Sequence, residues 1–176
     1  EVMRYSDYHY SSTAYGIASY TKPASTLFTL RGLLGEDVFM KAWTTYISRW
    51  AYKHPTPYDL FNTFEDVTGQ DLDWFWRSWY FETWELDQAI EEVKIQSNSV
   101  TVSINDLGNI PMPVDLTLFF KDGTEIETRI GVDQWLLGKR RLSITLPINS
   151  SLQKVTIDKN SIFPDVNRSN NTWKKY

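Results

Sequence analysis

The residue types that most often carry out chemistry are sparse in this sequence. It contains two histidines, His9 and His54, and no cysteine. Neither histidine belongs to a His-Glu-x-x-His motif, the spacing that places two zinc ligands on one helical face with a general base between them. His54 lies between Lys53 and Pro55 at a break in a helical pattern, and both histidines are interpreted as loop or packing residues. The chain therefore has no self-contained zinc site, and the absence of cysteine excludes disulfides and thiolate chemistry.

Two other common catalytic designs are also missing. The nucleophile of many serine hydrolases stands in a Gly-x-Ser-x-Gly elbow, and this motif does not occur in the sequence. The eight glycines are scattered, and none forms the Gly-x-Gly-x-x-Gly or Gly-Lys-Ser/Thr pattern of a phosphate-binding loop. The sequence therefore disfavours a serine hydrolase and a nucleotide cofactor.

Aromatic residues are concentrated in one part of the sequence. The run WFWRSWYF at 74–81 is too dense for a single helix to bury all of its faces. An aromatic core with a seam between domains is the favoured explanation, because large aromatic side chains dominate packing in general. A platform for a sugar or a peptide is the alternative.

Composition and charge are those of a globular protein. The chain has 176 residues, of which 41% are hydrophobic, and this length suits one ordinary domain or two small ones. Its net charge of −4 offers no general attraction for a nucleic acid backbone. No stretch approaches the roughly 18 apolar residues of a membrane span. We therefore expect neither nucleic acid as a partner nor a membrane span in this chain.

Apolar residues repeat at helical spacing through the first half of the sequence. Thr56 followed by Asp59 is typical of a helix cap, and Gly69 suits a left-handed helix end. Asp71 is suited to cap the next helix. The pattern predicts helices over 23–34, 38–50 and 57–68, and a fourth helix after residue 71.

The hydrophobic period changes from about 3.6 to about 2 after Asp87, which indicates half-buried strands. Strands are predicted over 93–95, 100–104, 114–120, 126–132, 142–146 and 152–157. Turn residues at 105–108 and 121–123 separate neighbouring strands. Because no helix is predicted between them, the strands favour an antiparallel sandwich over a parallel α/β sheet.

The predicted fold class is α+β, in two modules. Residues 1–87 are assigned to a helical module and residues 88–160 to an antiparallel β-sandwich. Residues 161–176 form a tail without a clear hydrophobic period, which is interpreted as a docked extension or a linker.

A series of short motifs runs through the helical half. The segment Tyr20-Thr21-Lys22-Pro23 is followed by a leucine repeat, Leu-Gly and Phe39, and then by AYKHPTP at 51–57, DLF at 59–61 and GQDL at 69–72. In this order and spacing the helical half resembles the gluzincin zinc metalloaminopeptidases related to aminopeptidase N and leukotriene hydrolase. The resemblance implies the C-terminal part of a thermolysin-like catalytic domain, followed by the small β-sandwich often found in this family.

Tyr20 is the one catalytic residue that the resemblance assigns to this chain. It matches the tyrosine whose hydroxyl, in that family, donates a hydrogen bond to the oxyanion formed when zinc-activated water attacks the peptide carbonyl. A phenol with a reference pKa of about 10 stays protonated at neutral pH and can make this donation. Without the resemblance, Tyr20 is better explained as a residue packed at the start of a helix. Tyr15, nearby, is given no role.

The motifs that would complete such a site are absent from the sequence. The family's His-Glu-x-x-His motif, its distal glutamate ligand and its Gly-x-Met-x-Asn substrate strand all belong upstream of the matching region. The resemblance therefore implies a fragment whose zinc ligands and substrate-binding residues lie elsewhere. We expect the chain alone to bind no catalytic zinc and to hydrolyse nothing, because an oxyanion donor without metal and nucleophile has no reaction to assist.

Two functional hypotheses remain open at this point. The first is a piece of a zinc-dependent aminopeptidase that removes N-terminal residues from peptides, with a peptide substrate and the upstream catalytic and N-terminal domains as its partners. The alternative is a non-catalytic scaffold that binds a peptide or a glycan through its aromatic-rich helical part and β-sandwich. The lack of cysteine is compatible with a periplasmic or secreted protein, which we favour, but it does not exclude the cytoplasm.

Overall fold

The computed structural model describes residues 1–175. Two compact units divide the chain, Glu1–Thr83 and Trp84–Tyr176. The first unit is helical and the second contains antiparallel β-sheets, so the predicted α+β class is confirmed. The division falls after Thr83 rather than after Asp87, because Leu86 already forms a bridge with Asp165 of the second unit. None of the helices among the described residues has both the length and the apolar character that crossing a membrane requires.

Two of the helical stretches in the first unit contain a π-helical segment. The first π segment, Ile17–Thr21, joins α1 to α2, and the second π segment, Arg77–Phe81, continues α5. The α-helices are α1 (Ser12–Gly16), α2 (Lys22–Leu34), α3 (Glu36–Trp50), α4 (Pro57–Thr68) and α5 (Asp73–Trp76). The predicted helix at 23–34 is thus the last part of a longer stretch, whose earlier turns lack a clear apolar repeat and were not predicted.

Pro23 provides a physical reason for the first π segment. Proline has no amide hydrogen, and within a helix its ring crowds the carbonyl group four residues earlier, which here belongs to Ser19. The turn before Pro23 is widened, and the Lys22 amide reaches the carbonyl oxygen of Ile17, five residues back. A wider turn of this kind allows the helix to continue past a residue that would otherwise break it.

The predicted cap of α4 is present. Thr56 and Asp59 form a capping box, in which the Thr56 amide donates to Asp59 Oδ2 at 2.7 Å. The helix ends at Gly69, whose φ of 65° is left-handed and whose amide donates to the Glu65 carbonyl oxygen at 2.8 Å. Local sequence therefore determines both ends of α4.

The aromatic run at 74–81 forms part of the core of the first unit. Phe75, Trp76, Trp79 and Tyr80 are buried, and Trp74 and Phe81, the other two aromatic residues of the run, are half-buried. Burial, with a smaller contribution from Tyr46, raises the pKa of Tyr80 to about 12. The favoured packing interpretation of this run therefore fits better than an exposed platform for a ligand.

The second unit is built from two antiparallel sheets. One sheet has the strand order β1-β2-β5 and the other β4-β3-β6-β7. The strands are β1 (Gln88–Ile95), β2 (Ser99–Asp106), β3 (Val114–Phe120), β4 (Glu125–Ile130), β5 (Arg141–Pro147), β6 (Leu152–Ile157) and β7 (Thr172–Lys174). A helical turn, α6 (Asp133–Leu136), lies between β4 and β5. The expectation of no helix between strands was wrong, because four residues are too few to show a helical period.

One hydrophobic cluster is shared by the two sheets. It combines Val100, Val102 and Ile104 of β2 with Leu116 and Leu118 of β3, all at most 1% exposed. Alternate residues of each strand supply the cluster, as the period of 2 in the sequence predicts. The second unit is therefore a small β-sandwich.

The segment predicted as a tail is docked on the second unit. Strand β7 pairs with β6, with Trp173 opposite Val155. The buried Asp158 carboxylate accepts hydrogen bonds from the amides of Ile162 and Phe163, each at 2.9 Å. These contacts give the segment regular structure that its sequence period does not reveal.

Candidate functional site

Tyr20 lies within the first π segment and its side chain is exposed. The side chain is 67% exposed, and its ring makes an edge contact with Tyr15 at a centroid distance of 6.2 Å. Tyr15 in turn contacts His9 at 5.9 Å. Across residues 1–175 no hydrogen bond is found for the Tyr20 hydroxyl. With this exposure, Tyr20 is not a buried packing residue of the first unit.

The backbone around Tyr20 is held more firmly than its side chain. Ala18 is 8% exposed, and the Lys22 amide donates to Ile17 at the end of the first π segment. The Lys22 side chain extends away from the turn, and its Nζ donates to the backbone carbonyl oxygen of Glu82 at 2.6 Å. Burial lowers the pKa of Lys22, while the nearby Glu1 and Glu82 act in the opposite direction.

The second π segment ends where this lysine reaches it. The carbonyl oxygen of Tyr80 accepts the amides of Val2 at 2.8 Å and Met3 at 3.0 Å. The carbonyl oxygen of Glu82, the next residue but one, accepts Lys22 Nζ. Carbonyl groups at the end of a helix have no partner within it, so Val2, Met3 and Lys22 together complete this end.

The two histidines are far from forming a metal site. His9 is half-buried beside Tyr15, and His54 is exposed in the loop between α3 and α4. Neither histidine belongs to the carboxylate group formed by Glu65, Asp71 and Asp73. Their positions agree with the packing and loop roles expected from the sequence.

A group of carboxylates lies near the start of α5. Side-chain oxygens of Glu65, Asp71 and Asp73 are within 4.8 Å of one another. Glu65 Oε1 accepts the Leu72 amide at 3.0 Å, and Asp71 Oδ1 accepts the Asp73 amide at 3.0 Å. Burial raises the pKa of Glu65, and the Leu72 amide opposes the shift. The carboxylates of Glu65 and Asp71 thus act as local caps, and Asp71 fulfils its predicted role through the Asp73 amide.

The donor set of this carboxylate group does not suit a catalytic zinc ion. Such ions are held chiefly by histidine or cysteine together with a carboxylate, and the group contains neither histidine nor cysteine. Among the described residues there is accordingly no arrangement that fits the zinc implied by the resemblance.

An apolar groove between α2 and α3 was not anticipated from the sequence. It is lined by Leu27, Phe28, Phe39, Met40 and Trp43, with Ala24 and Arg31 beside them. Phe28 is 67% exposed, although it directly follows a leucine of the predicted inward face. The signal in the sequence is the adjacent pair Leu27-Phe28, because two neighbouring apolar residues cannot both lie on one narrow apolar face of a helix. This pair could have indicated the groove.

Comparison with known proteins shows which protein family the helical unit resembles. Residues 2–79 match the peptidase family M1 domain. This match contains Tyr20, the whole of α1 to α4 and most of the aromatic run. Over these residues the helical unit is similar to peptidase family M1, the family that the motifs of the sequence also resemble.

Individual relatives are named aminopeptidases. Aminopeptidase M1-C of rice is 36% identical over 61 residues, which cover 35% of this chain and 7% of the relative. The alanine/arginine aminopeptidase of Saccharomyces cerevisiae is 24% identical over 153 residues, covering 82% of this chain and 17% of the relative. The chain thus spans less than a fifth of the length of these curated relatives.

A solved structure shares the fold over most of the chain. A crystal structure of Legionella pneumophila aminopeptidase A in complex with aspartic acid matches with a TM-score of 0.68 at 18% identity. The match covers 87% of this chain and 18% of the Legionella chain. At this identity the likeness establishes the fold alone, and it extends beyond the residues that match the family domain.

Proposed function

We propose that this chain is part of a zinc-dependent aminopeptidase that removes N-terminal residues from peptides, and that the Tyr20 hydroxyl stabilises the oxyanion formed at the scissile carbonyl. The observation that carries the proposal is the match of residues 2–79, which include Tyr20, to the peptidase family M1 domain. The names of the relatives in rice and yeast support the aminopeptidase class.

The role of Tyr20 follows from the chemistry of its hydroxyl. A neutral phenol donates a hydrogen bond to developing negative charge without first losing a proton. Tyr20 is 67% exposed, so its hydroxyl can meet a substrate that binds beside the first π segment. Tyr15 lies against the Tyr20 ring and limits the directions in which the phenol can point.

The zinc ion belongs to the proposal as a group held by residues outside this chain. Bound zinc would supply the Lewis acid and the activated water of peptide hydrolysis. Because the described residues do not offer a suitable ligand set, we expect the isolated chain to be inactive. Peptide substrate and the remaining catalytic domain are the partners that complete the site.

The proposal is tested by Tyr20→Phe in the longer protein that it implies. We expect kcat for hydrolysis of an aminoacyl anilide to fall by about 10²–10³, the usual loss of an oxyanion donor, with KM nearly unchanged. Tyr52→Phe is the matched control, because Tyr52 is fully exposed in a loop and loses the same hydroxyl. The helical circular dichroism of both variants should equal that of the parent.

An unchanged kcat in Tyr20→Phe would contradict the proposed role. The binding hypothesis is examined separately by titrating this chain with peptides and glycans in the absence of zinc. Saturable binding without hydrolysis, together with full activity of Tyr20→Phe, would favour a non-catalytic module instead.

A further inference from the structure

We propose that Lys22 is a positioning residue for Tyr20, which it orients by tying the first π segment to the end of the second. The proposal rests on the proposed function for its catalytic consequence, but the tether itself is a property of this chain. Its central contact is the hydrogen bond from Lys22 Nζ to the Glu82 carbonyl oxygen, 2.6 Å long.

The placement of this lysine is unusual for its residue type. A lysine normally keeps its ammonium group in water and lays only its methylene stem on the protein. Lys22 is half-buried, and desolvation lowers its pKa despite the neighbouring Glu1 and Glu82. The ammonium group is held at a backbone carbonyl at the cost of hydration, which indicates that the contact is a specific one.

The same residue acts at both π segments. Through its amide, Lys22 closes the first π segment on Ile17. Through its ammonium group, it satisfies a carbonyl group at the end of the second π segment. Lys22 lies two positions after Tyr20, which is about half a helical turn. A shift of the Lys22 backbone is therefore passed to Tyr20 through the turn that they share.

The exposed Tyr20 side chain makes this backbone restraint important. Within the described part of the chain, no hydrogen bond fixes the Tyr20 hydroxyl, and its ring has an edge contact with Tyr15. The direction of the phenol is therefore set largely by the turn that carries it. Pro23 follows directly and cannot donate an amide, so the turn lacks one of the hydrogen bonds that would otherwise hold it.

The tether is tested first in this chain, by hydrogen exchange of the amides at residues 20–22. We expect Lys22→Met to speed their exchange by roughly tenfold, the effect of losing one charge-assisted hydrogen bond, and Lys22→Arg to restore much of the protection. Lys53→Met is the matched control, because Lys53 Nζ also donates to a backbone carbonyl oxygen, that of Arg49, at 2.7 Å. Equal exchange in the parent and Lys22→Met would overturn the tether.

The catalytic consequence is tested in the longer protein with a double-mutant cycle. We expect Lys22→Met to lower kcat roughly tenfold with KM unchanged, and to cause no further loss in a Tyr20→Phe background, because it acts through that hydroxyl. An equal loss in both backgrounds would refute positioning while leaving the proposed function intact. Full activity of Tyr20→Phe would instead refute the proposed function, and the exchange experiment would still decide the tether. If Lys22→Met unfolds the helical unit, Lys22→Gln replaces it in both experiments.

Discussion

Phe61 and Trp76 stack face to face, with ring centroids 4.4 Å apart and an interplanar angle of 19°. Phe61 belongs to α4 and Trp76 to α5. Tyr80 meets the same Phe61 ring edge-on at 5.0 Å. Because this stack connects α4 with the aromatic run, it is a principal contact in the core of the first unit.

Phe61→Ala is expected to destabilise the first unit by about 3–5 kcal/mol, since it removes a large buried ring and leaves a cavity. Phe61 is 5% exposed, so little of its surface is already in water. The measurement is urea denaturation followed by circular dichroism at the helical minimum.

Phe28→Ala is the control for that experiment. Phe28 is 67% exposed, and its loss is expected to change the free energy of unfolding by no more than about 0.5 kcal/mol. If the free energy of unfolding fell by a similar amount in Phe61→Ala and Phe28→Ala, the Phe61–Trp76 stack would not be a principal contact in the core.

Thr56→Ala is expected to cost about 1 kcal/mol, the usual effect of removing a capping side chain. The substitution removes the Thr56 hydroxyl, which donates to Asp59 Oδ2 at 2.8 Å, and it leaves the bond from the Thr56 amide to Asp59 in place. Thermal or urea unfolding of the helical unit measures the loss. Thr56→Ser keeps the hydroxyl and should retain most of the stability; a loss as large as in Thr56→Ala would show that the hydroxyl is not the cause.

The ends of α4 show what local sequence can determine. Thr56, Asp59 and Gly69 act through hydrogen bonds and backbone angles within a few residues of themselves, so they could be predicted from the sequence. The two π segments could not be predicted in this way. Their extra residue per turn leaves no distinct pattern in a short stretch, and α6 and β7 are too short to show a period.

Gly108→Ala is expected to destabilise the second unit by about 1–3 kcal/mol, because the added methyl group has no room. A Cβ atom there would lie 2.7 Å from the Asp87 amide nitrogen and closer still to the Glu85 carbonyl oxygen. The amide of Gly108 also donates to Asp87 at 3.2 Å, so the two backbones cannot separate without losing that bond. Urea denaturation followed by amide NMR signals of β2 measures the effect.

Gly131→Ala is the matched control in the same unit. A Cβ atom at Gly131 would meet the Asp133 carboxylate oxygen at 2.9 Å, and this flexible side chain can move aside. We expect stability close to that of the parent. If Gly108→Ala is equally well tolerated, the close backbone approach is not a constraint on this fold.

Asp106 is expected to make the stability of the second unit depend on pH. It is 5% exposed, and its Oδ2 accepts a hydrogen bond from Arg140 Nη1 at 2.8 Å. Its Oδ1 is buried and lacks a partner within the described residues. Burial raises the pKa of Asp106 to about 6, Arg140 opposes the shift and Asp87 adds to it. The folded protein therefore binds this proton more tightly than the unfolded chain, whose aspartate pKa is about 3.9.

The sign of the pH effect follows from that difference. The contribution of Asp106 to stability is fully present below pH about 4 and is lost as pH rises through about 6, by an amount on the order of 2–3 kcal/mol. Asp106→Asn cannot ionise and should remove this part of the slope. The measurement is the free energy of unfolding of the second unit at pH 4.5 and 7.5. Parallel pH curves for parent and variant would rule out this role of Asp106.

Less of the candidate site than of the fold could be predicted from sequence. Tyr20 was predicted to be catalytic only because the surrounding motif resembles a family, since one tyrosine among ten has no distinguishing pattern of its own. The contact between Lys22 and Glu82 joins residues sixty positions apart, a distance at which periodicity carries no information. The sequence analysis included Lys22 in the segment Tyr20-Thr21-Lys22-Pro23, but it predicted no role for this lysine.

The first π segment also bears on how this region tolerates insertions and deletions. A π turn holds one residue more than the α-helical turn it replaces, so Ile17–Thr21 is the part of the stretch from Ser12 to Leu34 with a residue to spare. If one residue were deleted there and the turn tightened to an α turn, α1 would keep its direction relative to α2. The same deletion in the regular helix α3 would rotate all preceding side chains by roughly 100°.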